Sequence, residues 1–267
     1  MNNKNVQEMI ELGRAFSQKN WMPGTCGNMS CLETRSPLAF TVSVSGVDKG
    51  SLTAEKFVTV TMGEGFAIAG ITPTQAAPST EVLTHATIYR LTGASAIVHL
   101  HSPQALMVAE LFAKDKEFSF SGFEMERGLG FASIGVECKI PILCNVDSKE
   151  SVASEFEKYY SKDAVALLIE KHGIFVWAPS IAEAKVRAEL LQHVFEYSLV
   201  KENYQLAGLS KDFHAFRNTL SALSNFVSYL EKPDDPEEAK EVSRRAAVCI
   251  DKLTRQISDL EDRVKGA

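Results

Sequence analysis

The chain lacks long apolar runs, a signal-peptide core and paired cysteine spacings. No stretch of its 267 residues is apolar over the length that spans a bilayer, and residues 1–6 carry no apolar segment of the signal-peptide kind. We therefore expect no membrane segment and no secretory leader. The five cysteines are odd in number and show no Cys-x-x-Cys spacing, which fits reduced thiols in a cytoplasm: Cys26, Cys31, Cys138, Cys144 and Cys249.

The chain also lacks an excess of positive charge. The formal net charge is -6, so nothing in the composition indicates a surface for nucleic acid or for a membrane. Apolar residues make up 45% of the chain, which is enough for one large core and an appendage. The composition therefore favours a cytoplasmic protein whose partners are small molecules or other protein chains.

A short apolar strand at residues 96–102 carries two histidines two residues apart. Because side chains at i and i+2 of a strand leave the same face, His99 and His101 project together. A third candidate ligand, His172, precedes a glycine in a predicted turn. Three protein ligands and one open position are typical of a catalytic zinc site. Taken alone, a His-x-His pair is a weak motif, and an incidental pair on a strand is the alternative.

Two other segments present backbone amides suited to an anion. Residues 21–30, Trp-Met-Pro-Gly-Thr-Cys-Gly-Asn-Met-Ser, form a turn in which small residues let amides approach a ligand; an ordinary helix-to-strand turn is the alternative. Pro78-Ser-Thr-Glu81 begins a helix, and free amides at a helix start bind phosphate. Glu81 is then either a helix-dipole partner or a metal ligand or proton carrier.

Glu124 stands among apolar residues in the segment 119–129. Its pKa would be raised if it faced a closed pocket, whereas a solvated helix carboxylate is the alternative. Around these motifs, alternating strands at 39–45 and 57–62, buried runs at 96–102 and 164–169 and intervening helical patterns predict an α/β fold. A long helix is predicted from Ile181 to Leu206.

The motifs together resemble the class II aldolase/adducin superfamily over residues 5–205. They occur in that family's order: Gly24-Thr-Cys-Gly-Asn-Met-Ser30, Val44-Ser-Gly46, Pro78-Ser-Thr-Glu81, His99-Leu-His101 and His172-Gly173. Within the superfamily the chain is similar to the methylthioribulose-1-phosphate dehydratases, on the strength of residues 21–28, Phe123-Glu-Met-Glu-Arg-Gly128 and His172 to Trp177. It departs from them at Phe123, where a glutamine is usual, and at Glu170-Lys171, where an arginine is often found.

The resemblance implies a three-layer α/β/α domain with a largely antiparallel central sheet over residues 1–209, assembled as a homotetramer with sites at subunit interfaces. By position, it implies one Zn²⁺ per subunit on His99, His101 and His172. It makes Glu81 an acid/base group that can also ligate zinc, and Glu124 the acid/base residue of dehydration. The positions that match phosphate or substrate binding are Thr25, Gly27, Asn28, Ser45, Gly46, Ser79 and Thr80.

The implied activity is zinc-dependent dehydration of a sugar phosphate, methylthioribulose 1-phosphate, in methionine salvage. A class II sugar-phosphate aldolase or epimerase is one alternative. An adducin-like scaffold without catalysis is another, and a regulatory protein of the phosphorelay type that acts through its C-terminal segment belongs to the same class. The presence of all three histidines and both glutamates favours the enzyme.

Residues 210–267 fall outside the resemblance. Apolar residues at 3-4 spacing on both sides of Lys232-Pro-Asp-Asp-Pro236 predict an antiparallel helical hairpin. A lone hairpin buries little, so we expect it to pair with another copy, with a partner protein or with its own domain. His214 lies in a segment that resembles the H-box of histidine-kinase dimerisation domains, which makes it a candidate phosphoacceptor. Ala215 and Thr219 depart from that motif, and an exposed helix histidine is the alternative.

Overall fold

A computed structural model describes residues 3–73, 77–146, 149–230 and 235–265. The chain divides into two compact units, Met1–Leu199 and Val200–Ala267. The predicted assignment of residues 1–209 to a catalytic domain and 210–267 to an interaction element stays a prediction.

The described part of the first unit contains a nine-stranded sheet in the order β4-β3-β2-β1-β5-β9-β8-β7-β6. Its strands are β1 (Asn28–Arg35), β2 (Leu38–Ser43), β3 (Phe57–Met62), β4 (Ile68–Thr72), β5 (Ala96–Leu100), β6 (Glu117–Phe120), β7 (Cys138–Leu143), β8 (Ala166–Ile169) and β9 (Gly173–Ala178). Neighbouring strands are antiparallel except β7 and β8, which run parallel. The predicted, largely antiparallel sheet is confirmed.

The helices are α1 (Asn3–Gln18), α2 (Val82–Leu91), α3 (Pro103–Leu111), α4 (Glu126–Leu129), α5 (Lys149–Tyr159), α6 (Ile181–Leu230) and α7 (Pro236–Lys265). Helix α6 runs 24 residues beyond its predicted end at Leu206 and enters the second unit. None of the described helices combines the length and the apolarity that a membrane crossing requires.

Two apolar clusters cover the two faces of the sheet. Strand β5 shows why: Val98 belongs to the cluster that contains residues of α1, α3, α4 and α6, whereas Ile97 belongs to the cluster that contains residues of α2 and α5. This alternation is the period-2 pattern of a strand buried on both faces. A wholly buried side chain such as Phe175 contributes on the order of 2–3 kcal/mol by leaving water. The α/β/α layering predicted for this unit is confirmed.

The second unit contains the remainder of α6 and all of α7, the two helices predicted for residues 210–267. Few of its described side chains are buried, and several apolar ones are exposed: Leu220, Val227, Val248, Ile250 and Ile257. The predicted break at Lys232-Pro-Asp-Asp-Pro236 falls largely on residues outside the described part of the chain. The side chain of His214 also lies outside it, so the phosphoacceptor hypothesis stays a prediction.

Candidate active site

A cavity of about 270 Å³ lies where β1 begins, β5 ends and β9 begins. Three of its lining residues had no predicted role: Cys26, Val44 and Lys49. The others are the predicted metal ligands, one of the two predicted acid/base residues and all seven predicted phosphate positions: His99, His101, His172, Glu81, Thr25, Gly27, Asn28, Ser45, Gly46, Ser79 and Thr80. The structure therefore brings eleven of the predicted residues into one site.

The three histidines converge although 73 residues separate the outer pair. His99 lies near the end of β5, His101 directly follows that strand, and His172 lies in the turn between β8 and β9. One ligand atom from each can be chosen so that all three lie within 4.8 Å of one another. His99 Nε2 lies 3.3 Å from His172 Nε2, which is about the separation of two nitrogens bound at roughly 2.0–2.1 Å to one tetrahedral zinc ion. The donor set therefore fits a three-histidine metal site.

The surroundings of His99 favour the form of imidazole that binds a metal. His99 Nδ1 donates to the carbonyl oxygen of Ile174 over 3.1 Å, so Nε2 keeps its lone pair. Burial lowers the pKa of His99 well below its usual value, and His101 and His172 lower it further. The ring stacks on Phe175 with ring centroids 4.0 Å apart. His99 is thus a neutral, oriented imidazole whose Nε2 could bind a metal.

Glu81 joins the histidines at the start of α2. The residue occupies the N-cap position, and its side chain makes no capping hydrogen bond. Its carboxylate is buried, and Oε1 lies 3.5 Å from His172 Nε2. Ser79 Oγ accepts a hydrogen bond from the Glu81 amide and holds this turn. The geometry suits a metal ligand or proton carrier better than a helix-dipole partner.

A buried chain of hydrogen bonds reaches the cavity at Asn28. Tyr89 Oη lies 2.7 Å from Ser30 Oγ, which lies 2.7 Å from His85 Nδ1, and His85 Nε2 is bonded to Asn28 Oδ1. Because Oδ1 only accepts, Nε2 carries the ring proton, and Nδ1 accepts from Ser30. The amide N–H groups of Asn28 then remain as donors for a ligand.

The sequence prediction missed His85, although a signal was present. His85 follows Glu81 by four residues, which is one helical turn, so both lie on the same side of α2. Its side chain is fully buried, and burial lowers its pKa to about 3. Burial also raises the pKa of Tyr89 well above its usual value, which keeps the phenol protonated as a donor.

Lys49 was missed as well. It follows the Ser45-Gly46 motif in the chain, yet it is only 1% exposed. Lys49 Nζ donates to the carbonyl oxygens of Thr25 (2.9 Å) and Val47 (2.7 Å), and burial lowers its pKa. A lysine in a polar loop is normally exposed, so its type and position gave no signal for this role.

Glu124 does not join the site within one chain. Its side chain is 75% exposed, forms an ion pair of 3.3 Å with Arg127 Nε and does not line the cavity. The solvated alternative is therefore the one found in the single chain. The buried carboxylate of this segment is Glu126, which accepts hydrogen bonds from the amides of Phe123 (3.0 Å) and Gly135 (2.6 Å). The catalytic role of Glu124 stays a prediction.

Comparison with known proteins settles the family. Residues 7–199 match the family described as Class II Aldolase and Adducin N-terminal domain. The chain belongs to this family. Its relatives include proteins named methylthioribulose-1-phosphate dehydratase. The protein from Geobacillus kaustophilus is 34% identical over 77% of this chain and 96% of its own length. The protein from Bacillus subtilis is 33% identical over 72% of this chain and 91% of its own.

Solved structures show the same class II aldolase fold. L-fuculose-1-phosphate aldolase from Thermus thermophilus aligns with a TM-score of 0.60 at 21% identity, over 77% of this chain and 98% of its own. An aldolase II superfamily protein from Pseudomonas syringae aligns with a TM-score of 0.56 at 11% identity, over 96% of this chain and 95% of its own. The predicted family and fold class are confirmed, while the individual site roles stay predictions.

Proposed function

We propose that this protein is a metal-dependent hydro-lyase that removes water from a ketose 1-phosphate, methylthioribulose 1-phosphate. One observation carries the proposal: His99, His101, His172 and Glu81 share a single cavity with the predicted phosphate positions. Relatives named for this reaction, to which the chain is aligned over more than nine tenths of their length, support the substrate.

The reaction removes the C3 proton and the C4 hydroxyl of the ketose, and the enol that results becomes a 2,3-diketone. His99, His101 and His172 would hold a divalent ion, for which zinc is the proposed identity. When bound, the ion would act as a Lewis acid toward the C2 carbonyl and the neighbouring hydroxyl. Glu81 lies on the same side of the cavity and is placed to accept or return a proton there.

The rest of the cavity positions the substrate. Backbone amides near Thr25 and Gly46, the side chains of Ser79 and Thr80 and the Asn28 amide offer donors to the phosphate. Fixing the phosphate holds the carbonyl end of the ketose at the histidines, which lowers the entropic cost of reaching the reactive geometry.

A second proton carrier is needed near the departing C4 hydroxyl, and Glu124 is proposed for it. Because Glu124 is exposed and does not line the cavity of its own chain, this role requires a neighbouring copy. The predicted homotetramer with sites at subunit interfaces would supply one. A monomer in light scattering at micromolar concentration would contradict this part of the proposal.

Turnover of methylthioribulose 1-phosphate, measured beside fuculose 1-phosphate and ribulose phosphates, tests the function. We expect loss of water and formation of the diketone with methylthioribulose 1-phosphate alone. Cleavage of a carbon–carbon bond would instead establish an aldolase, and inversion at one carbon an epimerase. Failure of a metal-loaded protein to act on any of them would favour the scaffold alternative.

A further inference from the structure

One buried lysine that the proposed mechanism does not use lines the cavity. Of the described residues that line the cavity, Lys49 is the only lysine or arginine. Its two hydrogen bonds, to Thr25 O and Val47 O, occupy two of the three N–H donors of an ammonium group. One donor remains for a ligand.

The charge of Lys49 is not directly paired: burial lowers its pKa, and the nearby Cys26 and Asp48 offset that lowering only in part. Both partners of Nζ are neutral carbonyls, which satisfy hydrogen bonds but do not neutralise a cation. Within the part of the chain that the structure describes, no carboxylate forms an ion pair with Lys49. The adjacent carboxylate of Asp48 accepts instead from Gly50 N (2.9 Å) and Ser51 Oγ (3.0 Å). A buried cation in this state is stabilised by an anion that enters the cavity.

Packing holds the segment around Lys49 in place. A Cβ added to Gly13 of α1 would lie 2.6 Å from the carbonyl oxygen of Lys49, so the helix and this segment are in direct contact. The bond from Nζ to Thr25 O joins the same lysine to the turn that precedes β1 and lines the cavity. The ammonium is therefore fixed before any ligand arrives, and a fixed charge binds an anion at little cost in side-chain entropy.

We propose that Lys49 binds the phosphate of the substrate and makes the site selective for a phosphate monoester over the uncharged sugar. The inference rests on the proposed function for the identity of the anion. A dianion that enters a cavity containing the Glu81 carboxylate is stabilised by a positive charge beside the neutral amide and hydroxyl donors, in addition to the charge of the proposed metal ion. A purely structural clamp, in which Lys49 only links the Thr25 and Val47 carbonyls, is the competing explanation.

Binding of inorganic phosphate to the full-length, metal-loaded protein distinguishes a phosphate-binding Lys49 from a purely structural one. Lys49→Met keeps most of the side-chain volume without the charge, Lys49→Gln keeps an N–H donor without the charge, and Lys56→Met removes an exposed lysine as the matched control. We expect both Lys49 variants to bind phosphate roughly 10- to 100-fold more weakly and Lys56→Met to match the wild type. The same loss should remain after the metal is removed with a chelator, because it does not depend on the ion.

A folded Lys49→Met or Lys49→Gln protein whose phosphate affinity stays within twofold of wild type would overturn the inference, and so would a wild type that binds no phosphate. If both neutral variants unfold, Lys49→Arg decides: it restores the charge and should keep phosphate affinity, whereas a folded Lys49→Arg protein that loses more than tenfold contradicts a charge-based role. Because phosphate binding needs no turnover, a wild type that binds phosphate without dehydrating methylthioribulose 1-phosphate contradicts the proposed function alone.

Discussion

His85 Nε2 is hydrogen-bonded to Asn28 Oδ1, and this contact links the interior of α2 to the first residue of β1. Both side chains are buried, so neither can exchange its partner for bulk water. Because this bond engages Oδ1, it leaves the N–H end of the Asn28 side-chain amide for the cavity. We therefore expect His85 to influence a ligand through Asn28, as a positioning residue.

Removing the His85 imidazole should weaken substrate binding before it affects chemistry. His85→Phe preserves an aromatic ring but leaves Asn28 Oδ1 and Ser30 Oγ without their partner, which costs roughly 1–3 kcal/mol in the free energy of unfolding. We expect KM for the phosphorylated substrate to rise, with a smaller change in kcat and full metal content. Tyr89→Phe is the control, because it removes only the hydroxyl at the far end of this hydrogen-bond chain. It should give a smaller rise in KM. Equal KM values for His85→Phe and wild type would contradict the positioning role.

The same histidine predicts how stability depends on pH. Burial lowers the pKa of His85 to about 3, against about 6.5 in the unfolded chain. Below pH 6.5 the unfolded chain therefore binds a proton that the folded chain does not, and stability falls with pH down to about 3. The slope from this residue approaches 1.4 kcal/mol per pH unit. Urea unfolding of metal-free protein at pH 7, 6 and 5 measures this dependence. The free energy of unfolding should change less with pH in His85→Phe than in the wild type, and identical pH dependences would refute the assignment.

Removing either His99 or His172 should abolish metal binding. His99→Ala or His172→Ala leaves two nitrogens, which do not hold the ion against solvent at a three-ligand site. We expect less than about 0.1 ion per chain by elemental analysis and no turnover. His193→Ala, which alters an exposed histidine on α6, is the matched control and should retain the ion. Stoichiometric metal in either test variant would disprove the three-histidine site.

Dehydration and aldol cleavage make different demands on Glu124. Both use the metal and the phosphate positions, but only dehydration needs a second proton carrier at the departing hydroxyl. Glu124→Gln should keep metal, fold and assembly and lose about two to four powers of ten in kcat, with little change in KM. The exposed Glu137→Gln is the control. Near wild-type turnover in Glu124→Gln would remove this residue from the mechanism and favour the aldolase alternative.

Gly173 allows His172 to approach β5. Its φ is +150°, and a Cβ there would overlap the carbonyl oxygen of Leu100. Gly173→Ala should therefore force β5 and β9 apart beside His172, destabilise the protein by roughly 2 kcal/mol or more and lower its affinity for the ion. Gly70→Ala in β4, where an added Cβ meets no atom within 4 Å, is the control. Urea unfolding and metal titration measure both effects, and a Gly173→Ala protein as stable as Gly70→Ala would contradict the steric reason.

Local patterns predicted the parts of the site that lie on regular structure. The period of a strand placed His99 and His101 on one face, and the helix-start signal placed Glu81 in the first turn of α2, although the structure has it one position earlier, at the N-cap. Predicted and observed bounds agree for β3, at 57–62. The position of His172 beside them came from the family resemblance, because no local pattern reveals a contact between residues 73 positions apart.

What the sequence did not predict depends on tertiary contacts. Strand β1 continues through polar residues to Arg35, and β4 contains Gly70, so neither shows the alternation of a typical strand. Lys49 and His85 are polar residues whose burial follows from packing that composition does not encode. The exposure of Glu124 is a property of the single chain, and its surroundings in an assembly depend on the symmetry of subunits.

The central position of β5, hydrogen-bonded to β1 on one side and β9 on the other, constrains when the ion can bind during biosynthesis. When synthesis has reached about residue 170, the nascent chain contains only two of the three histidines, His99 and His101. The third nitrogen arrives with the β8–β9 turn and reaches the others only after β9 has paired with β5, a late event for contacts so distant in sequence. Metal binding should therefore follow the completion of this sheet and should not initiate its folding.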